Sequence, residues 1–568
     1  MSPKHHTLKA TYSYQNPGFQ SNINDRKLQY RRTVSYNDYY TLEQEQEQEQ
    51  KSILPSSSSS SPIAHVLIPI PELTVPIIDR NITNGRQRFR WNLMFNVLVW
   101  LICPLPIWLP FISNKIAIFL LTSIQCIFVL IWFIITLLAA RNAFIIFQNR
   151  DYSFLLSTQD RNKIRHLVVI SCYKEPLELI KRSIDTLAAQ SEVNRISMII
   201  SFEERTPDVH TKCQTLQNYY AQAGFRDLIF TIHPYGLANE IPGKCSNANY
   251  ALRTAIKQLK LDENENENDN HNHTLITTCD ADSQFHPHYI AALTYQYIKD
   301  NYPALTTIYQ PPLFYNWNLD ASSFFTRITG LLRSTLMLGA LIPFSINTMS
   351  IFSFSLSLAK AGNFVHPAYQ MDDIICLIRW MGATGRRLSI KMVLTPVISG
   401  PTCGRTIEYE FMEWTRQARR WTIGAAEVFH YFMIKSRRIP FLTSLSWSIT
   451  FLIYYGVLLC SSGLYGLTYF VAIQFLLNEI PNYIVYITYI LLSIQMLSFS
   501  VAFIIDIFIS RLMNIKQCIF FLRNIFHFLM TPFVLIGYSL VEFYALHEVM
   551  IRGKKVCKHG ASNKNTLN

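Results

Sequence analysis

Four short polar clusters follow one another in this chain between two strongly hydrophobic regions, at residues 172–175, 280–282, 371–373 and 417–421. The first ends in a glutamate, the second holds two aspartates, the third holds an adjacent acid pair, and the fourth combines glutamine, arginine and tryptophan. Together they supply a carboxylate for a nucleotide, two ligands for a metal ion, a base, and a clamp of cationic and aromatic groups. Such a set suits the transfer of a group from a nucleotide-linked donor at a membrane.

Two glutamates are predicted to lie at the ends of strands. Residues 167–170 form a continuous apolar run, typical of a buried parallel strand, and Glu175 follows shortly after it. Glu203 ends a second such segment that begins at 196–200. A carboxylate beyond the carboxyl end of a strand can bind ribose hydroxyls or a base edge. The alternative for both is an ordinary solvated surface charge.

Asp280 and Asp282 flank one residue at the end of a third apolar run, 275–279. Mg²⁺ and Mn²⁺ bind carboxylate and phosphate oxygens together, and a cation held here would neutralise a leaving diphosphate. Asp280 is therefore also a candidate contact for the donor. Aspartate pairs of this spacing are common by chance, and the position at a strand end is what favours a metal site.

Asp372 and Asp373 precede a largely apolar helix predicted from Ile374 onwards. Carboxylates in the first turn of a helix commonly do no more than complement the helix dipole. The alternative is catalytic: Asp373 would remove a proton from an attacking hydroxyl, and Asp372 beside it would help to raise its pKa.

Gln417, Arg420 and Trp421 share roughly one face of a predicted helix, because they stand at positions i, i+3 and i+4. Arginine can bind phosphate bidentately, glutamine can bind hydroxyls or diphosphate, and tryptophan can stack on a sugar ring. An apolar region begins soon afterwards, so the alternative is a basic and aromatic anchor beside a membrane, which suits Arg416 and Arg419 in particular.

A fifth, weaker cluster lies at residues 243–252. Lys244 follows a glycine at the predicted start of a helix, and Asn249 stands further along it. The N-terminus of a helix with glycine and lysine suits a diphosphate. Lys244 and Asn249 are therefore candidate donor-binding residues.

The composition indicates a membrane protein. Hydrophobic residues make up 49% of the 568 residues and charged residues only 16%, which is less charge than a soluble domain usually carries. The net charge of +13 fits cytoplasmic loops beside anionic membrane lipid. Neither zinc-finger spacing nor a basic helical stripe occurs, so nucleic acid is not an expected partner.

Hydropathy and low-complexity runs divide the chain into five parts. We expect a disordered tail over 1–90, two transmembrane helices over 91–141, an α/β domain over 160–435 with a disordered insertion at 262–273, three or four spans with a possible interface helix over 440–548, and a basic tail over 549–568.

Basic residues after the first two spans place the α/β domain in the cytosol of a multi-pass membrane protein. No apolar run lies near residue 1, so we expect the first span to act as the targeting signal in place of a cleavable peptide. The sequence does not distinguish plasma membrane from endomembrane. It also leaves open the number of C-terminal spans and the side on which the chain ends.

Taken together, the clusters resemble the family 2 glycosyltransferases of the cellulose synthase, chitin synthase and hyaluronan synthase type, over about residues 165–430. The similar segments are 170–176 (the nucleotide-binding first strand and loop), 243–249 (G-K-x-x-x-x-N), 279–283 (the D-x-D metal site), 372–373 (an E-D pair whose aspartate is the base) and 417–421 (Q-x-x-R-W). The last segment matches its motif in full and is the most specific part of the resemblance.

The resemblance implies a GT-A-like α/β domain with a mostly parallel sheet, inserted between transmembrane helices that surround a polymer channel. It implies metal-dependent, inverting transfer of a sugar from a nucleotide-sugar, for which we expect UDP, to a growing polysaccharide. Asp373 would be the base, and Mg²⁺ or Mn²⁺ the cofactor. Met371 replaces the threonine usual before the acid pair in cellulose synthases, and no F-C-G acceptor loop is evident. The donor sugar, the acceptor and processivity therefore stay open.

Two other functions remain open. One is non-processive transfer to a lipid acceptor, as in ceramide glucosyltransferases, and the length of the product would distinguish it. The other is a membrane scaffold without catalysis, which would release no nucleotide. The expected partners are a nucleotide-sugar, a glycan or lipid acceptor, and membrane lipid; no oligomeric state is predicted.

Overall fold

The computed structural model describes residues 96–149, 163–237, 240–261, 272–315, 322–400, 406–513 and 521–552. All of them belong to one compact unit of the chain. The predicted tail at 1–90, most of the predicted insertion (262–271) and most of the predicted basic tail (553–568) lie outside the described residues.

Ten strands form two sheets in the described part of the chain: β1 (Arg165–Cys172), β2 (Ile196–Glu203), β3 (Asp227–His233), β4 (Thr274–Asp280), β5 (Gln284–Phe285), β6 (Thr307–Gln310), β7 (Leu313–Phe314), β8 (Phe352–Ser355), β9 (Ser389–Met392) and β10 (Val397–Ile398). The large sheet has the order β3-β2-β1-β4-β8-β6-β9, and the small one β5-β10-β7. Within the large sheet β8 alone runs antiparallel to its neighbours. The predicted α/β class with a mostly parallel sheet is confirmed.

The helices of the described residues are α1 (Leu105–Ile112), α2 (Asn114–Gln148), α3 (Leu177–Ala188), α4 (Val209–Tyr220), α5 (Lys244–Gln258), α6 (Tyr289–Lys299), α7 (Phe324–Leu336), α8 (Leu356–Ala361), α9 (Asp372–Thr384), α10 (Ile407–Lys435), α11 (Phe441–Leu452), α12 (Ser462–Val471), α13 (Asn482–Leu512) and α14 (Phe521–Arg552). Three of them, α7, α11 and α12, continue into π-helical turns at Met337–Leu341, Ile453–Leu459 and Ala472–Leu476.

The strand order reverses between β1 and β4. From β1 the sheet grows outward through β2 and β3, and the chain then returns to place β4 on the other side of β1. Loops that leave two such neighbouring strands diverge, and the crevice between their carboxyl ends is where open α/β sheets bind ligands. The loop after β1 carries Glu175, and β4 ends at Asp280, so the sheet places both predicted residues beside this crevice.

Within the described ranges, four helices are long and apolar enough to cross a membrane: Asn114–Gln148, Phe441–Leu459, Asn482–Leu512 and Phe521–Arg552. The number of spans predicted over 440–548 was three or four, because the apolar segment 446–477 could form one long helix or two short ones. This segment is broken at Cys460 and Ser461, and its second piece, Ser462–Leu476, is shorter. The possible interface helix corresponds to residues 507–523. Of these, 507–512 belong to α13 and 514–520 lie outside the described part.

The first of the two transmembrane helices predicted over 91–141 corresponds to the apolar segment 93–112, which is not one continuous helix where the structure describes it. Residues 96–102 are helical, and α1 follows after a break at Cys103 and Pro104. Proline lacks a backbone N–H and its ring collides with the preceding turn. Pro104 therefore lies at the break in a segment whose hydropathy alone suggests a span, whereas Pro106 stands in the first turn of α1, where proline is tolerated, and Pro110 lies within α1.

Ion pairs join the helices beside the sheet to the apolar helices. Arg327 of α7 lies 3.8 Å from Asp506 of α13, and both side chains are almost fully buried. Arg419 of α10 lies 2.6 Å from Glu548 of α14. Charged groups on apolar helices are costly unless they are paired. These pairs therefore fix where α7 and α10 sit on the apolar helices.

The π-helical turn after α7 packs closely against α2, and Gly339 in that turn allows this contact to be tested. A Cβ added at Gly339 would lie 2.0 Å from the carbonyl oxygen of Ile135. We expect Gly339→Ala to lower the free energy of unfolding by about 1–3 kcal/mol or more, because the two backbones must separate. Thermal unfolding of the purified protein in detergent measures the change.

Gly466→Ala on α12 is the matched control, because nothing lies within 4 Å of the added Cβ. It should leave the unfolding temperature unchanged or slightly raised, since alanine favours helix over glycine by roughly 0.5–1 kcal/mol. If Gly339→Ala unfolds at the wild-type temperature, the close contact between α2 and the turn is not formed.

Candidate active site

A cavity of about 200 Å³ opens at the carboxyl edge of the large sheet. All four polar clusters, and Lys244 of the fifth, contribute side chains to it. The predicted site residues in its lining are Glu175, Glu203, Lys244, Asp280, Asp372, Asp373, Gln417, Arg420 and Trp421. Asn249 and Asp282 are not among the lining residues.

Lys244 connects three of the segments around the cavity. It begins α5 directly after Gly243, whose φ of 151° is one that other residues rarely adopt. Its Nζ lies 3.0 Å from Asp280 Oδ1 and 3.1 Å from Asp372 Oδ2, and it donates a hydrogen bond to the Ser350 carbonyl oxygen at 2.6 Å. Burial alone would lower the pKa of Lys244, but the two carboxylates outweigh it and raise that pKa above its usual value.

The two adjacent acids have different surroundings. Asp372 is 4% exposed and pairs with Lys244; burial raises its pKa, and the ammonium opposes that rise. Asp373 lines the cavity, and its Oδ1 accepts a hydrogen bond from the Ile374 N–H at 2.9 Å. It forms no ion pair with any described residue. Burial and the nearby charge of Asp372 raise the pKa of Asp373 to about 7. A carboxylate with such a pKa is suited to accept a proton near neutral pH.

Asp282 is turned away from the cavity. It is 1% exposed, and its Oδ2 accepts hydrogen bonds from the Gly400 N–H at 2.9 Å and the Ser399 hydroxyl at 3.3 Å. Its carboxylate thus fastens the end of β4 to the chain that follows β10. Asp280 keeps its side chain 28% exposed at the cavity and is the better placed of the pair to bind a cation.

The carboxylate oxygens that line the cavity suit a cation that binds together with a diphosphate. Among the described residues, no group of three or more histidine, cysteine, aspartate or glutamate side chains could hold a metal by itself. Magnesium typically binds through one or two carboxylates together with substrate phosphates. The lining also holds more acids than bases, namely Glu175, Glu203, Asp280, Asp372 and Asp373 against Lys244, Arg333 and Arg420. An anionic donor is repelled by this excess unless a cation comes with it.

Glu175 and Glu203 line the end of the cavity next to β1 and β2. The Oε2 of Glu175 accepts a hydrogen bond from the Tyr173 N–H at 2.6 Å, which orders the turn after β1. Glu203 is 5% exposed and lies 3.2 Å from Arg205, whose guanidinium stands 4.2 Å from the ring centroid of Tyr235. Burial raises the pKa of Glu203, and Arg205 opposes the rise. This corner combines acceptor oxygens with aromatic faces, as a nucleoside requires.

Helix α10 directs its polar residues to two sides. Gln417, Arg420 and Trp421 line the cavity, as their i, i+3 and i+4 spacing predicts. Arg419 points instead to Glu548 on an apolar helix. The alternative of an aromatic and basic membrane anchor thus fits Arg419, while the motif residues face the cavity.

Asn247 is a cavity residue that the sequence analysis missed. Its amide donates hydrogen bonds to the carbonyl oxygens of Ser201 at 3.0 Å and Cys172 at 3.3 Å, and so joins the ends of β2 and β1. The predicted Asn249 is fully buried and accepts a hydrogen bond from Arg253 at 3.3 Å. Helical spacing could have found Asn247, because it stands three residues after Lys244 on the same face.

Arg333 of α7 is the second missed residue, and no motif pointed to it. Its Cζ lies 3.4 Å from the ring centroid of Trp421, so the guanidinium covers one face of the indole. Arg333 and Trp421 line the cavity at the edge of the sheet and also a second, mainly apolar cavity of about 30 Å³. Tyr454, Tyr455 and Tyr538 of the apolar helices contribute to that inner cavity.

Comparison with models of known protein families and with curated proteins finds no match. Among solved structures, the chain is similar to the mannosyltransferase PcManGT from Pyrobaculum calidifontis in complex with GDP-Man and Mn²⁺, with 13% identity, a TM-score of 0.35, and coverage of 66% of this chain and 99% of that one. It is also similar to residues 1–349 of S. aureus TarS in complex with UDP-GlcNAc, with 14% identity, a TM-score of 0.27, and coverage of 62% and 91%. With TM-scores this low, neither similarity supports a conclusion about fold or function.

Removal of the ammonium of Lys244 should expose the mutual repulsion of the acids around it. We expect Lys244→Met to destabilise the protein by roughly 2–4 kcal/mol at pH 8, since two partly or fully buried carboxylates lose their partner. The pKa of Asp372 in the folded state would then stand further above that in the unfolded chain. Such groups favour folding at low pH and oppose it as pH rises, so the deficit should shrink towards pH 5. Thermal unfolding in detergent at both pH values measures it.

Lys391→Met is the matched control, because Lys391 pairs with Asp300 at 2.8 Å but is 40% exposed. An exposed pair contributes about 0–1 kcal/mol. Equal destabilisation by the two variants, or a Lys244→Met deficit that does not change with pH, would contradict the bridging role of Lys244.

Proposed function

We propose that this chain is a membrane-embedded, inverting glycosyltransferase that transfers a sugar from a nucleotide-sugar to a growing polysaccharide. The observation that carries the proposal is the convergence of four separate sequence clusters on one cavity at the switch point of the sheet. That cavity combines a base with a pKa near neutrality, cations for a diphosphate and an aromatic ring for a sugar. The GT-A-like architecture, the expected UDP and the cytosolic position of the domain belong to the same proposal.

The donor would lie along the carboxyl edge of β1, β2 and β4. Glu175 and Glu203 are placed to bind the nucleoside, beside the aromatic side chains after β1 and β3. Lys244, at the N-terminus of α5, and Arg420 are placed to bind the diphosphate. Gln417 would bind the diphosphate or the acceptor hydroxyls. The donor sugar would then lie towards Asp373 and Trp421.

Asp373 would act as the base. Its carboxylate takes the proton from an acceptor hydroxyl as the hydroxyl oxygen forms a bond to the anomeric carbon. The bond from that carbon to the diphosphate oxygen breaks in the same step, and its electron pair leaves with the nucleoside diphosphate. Attack opposite the leaving group inverts the configuration. Asp372, paired with Lys244, would position this arrangement and raise the pKa of Asp373.

A divalent cation, Mg²⁺ or Mn²⁺, would be held by Asp280 together with the donor's phosphate oxygens. It supplies charge neutralisation of the leaving diphosphate. Asp282 supports this site indirectly, since it fastens the end of β4 to Gly400. The residues of the chain would orient the diphosphate and exclude water around it.

The inner cavity favours an acceptor that approaches from the side of the apolar helices. Its lining is mainly apolar and joins the catalytic cavity at Arg333 and Trp421. Tyrosine rings suit the faces of sugars in a glycan chain, and this supports the polysaccharide acceptor. The apolar wall also suits the tail of a lipid acceptor, which is the second candidate. A series of products that differ by one sugar each would support the polysaccharide acceptor. A product with a single sugar on a lipid would support the lipid acceptor.

Substitution of the proposed base tests the whole proposal. We expect purified wild-type protein in detergent to release nucleotide from one member of a panel of UDP- and GDP-sugars with Mg²⁺ or Mn²⁺. Asp373→Asn should reduce kcat about 10²–10⁴-fold, the usual contribution of a general base. Asp280→Asn should raise the metal concentration needed for half-maximal rate. Nucleotide release and product mass spectrometry measure both.

Asp227→Asn is the matched control, because Asp227 begins β3 at the opposite edge of the sheet and pairs with Arg165 at 2.7 Å. It should keep the wild-type rate. If Asp373→Asn also keeps that rate, the base is wrongly assigned. If the folded wild type turns over no donor, the scaffold function gains support over the enzyme.

The pH dependence of the reaction follows from the raised pKa of Asp373. A base must be deprotonated to act, so kcat/KM of the free enzyme should fall about tenfold per pH unit below pH 7 and level off above it. Measurements between pH 5.5 and 8.5, with unfolding temperature recorded at each pH, test this. A kcat/KM that stays constant down to pH 5.5 would exclude a base with this pKa.

A further inference from the structure

Arg333 is a cation whose hydrogen-bonding groups are not used by the described protein. A guanidinium has five N–H donors and no acceptor. The Nη1 of Arg333 is buried and has no hydrogen-bond partner among the described residues, and no described carboxylate lies within the 4.0 Å of an ion pair. Its contact is with Trp421. Buried donors without partners are costly, so a ligand that supplies oxygen acceptors would gain that free energy on binding.

The position of Arg333 indicates which ligand this is. Arg333 and Trp421 are the residues shared by the linings of the catalytic and the inner cavity. The donor's diphosphate has Lys244 and Arg420 available near β4 and α10. Arg333 lies instead where the inner cavity meets the catalytic one, on the path of the acceptor.

Trp421 and Arg333 together form a platform different from the bare indole that the sequence suggests. The guanidinium covers one face of the Trp421 ring, so a sugar cannot stack on that face while Arg333 remains there. A guanidinium stacked on an aromatic ring keeps its N–H groups available around its edge. It can therefore donate two hydrogen bonds to neighbouring oxygens of a ligand beside the ring.

We infer that Arg333 is an acceptor-binding residue that remains stacked on Trp421 and donates to the hydroxyl oxygens of the acceptor's terminal sugar. This inference rests on the proposed function, and it adds a specificity-determining residue that lies outside the four clusters. The acceptor hydroxyl that reacts would be oriented towards Asp373 by this contact. The ligand is thus a hydroxyl-rich sugar with neighbouring oxygens, presented from the inner cavity.

The test separates binding of the acceptor from support of the indole. Arg333→Met keeps an unbranched side chain that can pack on Trp421 but removes every donor. With the donor at saturation, and with the free monosaccharide of the donor's own sugar as a titrated primer, Arg333→Met should raise the KM for the primer about 10–100-fold. Arg333→Lys, which keeps the charge without the planar fork, should fall between wild type and Arg333→Met. The KM for the donor should change less than twofold in both.

Arg253→Met is the matched control, because its guanidinium also lies over a ring, 4.7 Å from the centroid of Phe364, but lines neither cavity. It should keep the wild-type KM for the primer. A wild-type KM for the primer in Arg333→Met, equal rises in the donor and primer KM, or a wild type that turns over its donor without saturable use of the primer would each overturn the inference. A wild type without donor turnover would instead contradict the proposed function.

Discussion

The bridge from Lys244 to Asp280 and Asp372 is the interaction on which the cavity depends. It joins the start of α5, the end of β4 and the start of α9, three segments that are far apart in the sequence. Gly243 makes the bridge possible, because its backbone conformation lets the chain enter α5 with Lys244 directed at the sheet. Without the ammonium, the acids would repel one another across the crevice. With it, one of the two negative charges is compensated, so this side of the cavity repels an anionic ligand less.

A second set of constraints connects this cavity to the apolar helices. Arg419 and Glu548 fasten α10 to α14, and Arg327 and Asp506 fasten α7 to α13. Because α10 carries Trp421 and α7 carries Arg333, these two pairs determine where the indole and the guanidinium meet. The junction between the two cavities is therefore positioned by charges that lie on apolar helices, where an unpaired charge would be costly.

The sequence predicted those features that follow from a local pattern. Carboxyl ends of parallel strands share one edge of a sheet, so Glu175, Glu203 and Asp280 could be placed together before the structure was known. Helical spacing likewise placed Gln417, Arg420 and Trp421 on one face. The roles assigned to these residues remain predictions.

Features that depend on long-range contacts could not be predicted in this way. Asp282 and Asp280 are equivalent in sequence, but the Gly400 N–H removes one of them from the cavity. Asn249 was predicted as a site residue because it matches a motif. In the structure, α5 directs Asn247 instead to the ends of β1 and β2. Arg333 of α7 belongs to no sequence motif, and its contact with Trp421, 88 positions further along the chain, arises only through tertiary packing. The strand β3 was also missed, since its half-buried residues lack the continuous apolar run of β1.

The adjacent acids show how one charge assigns different chemistry to two identical side chains. Lys244 lies within 3.1 Å of Asp372 and stabilises its ionised form, whereas Asp373 has no such partner among the described residues. Burial disfavours the ionised form of Asp373, and the negative charge of Asp372 beside it raises the pKa of Asp373 further. Asp373 therefore holds its proton up to about pH 7, while Lys244 opposes the rise that burial causes in the pKa of Asp372. Exchange of these surroundings would require Lys244 to move, so the position of one ammonium decides which aspartate is the candidate for the proposed base.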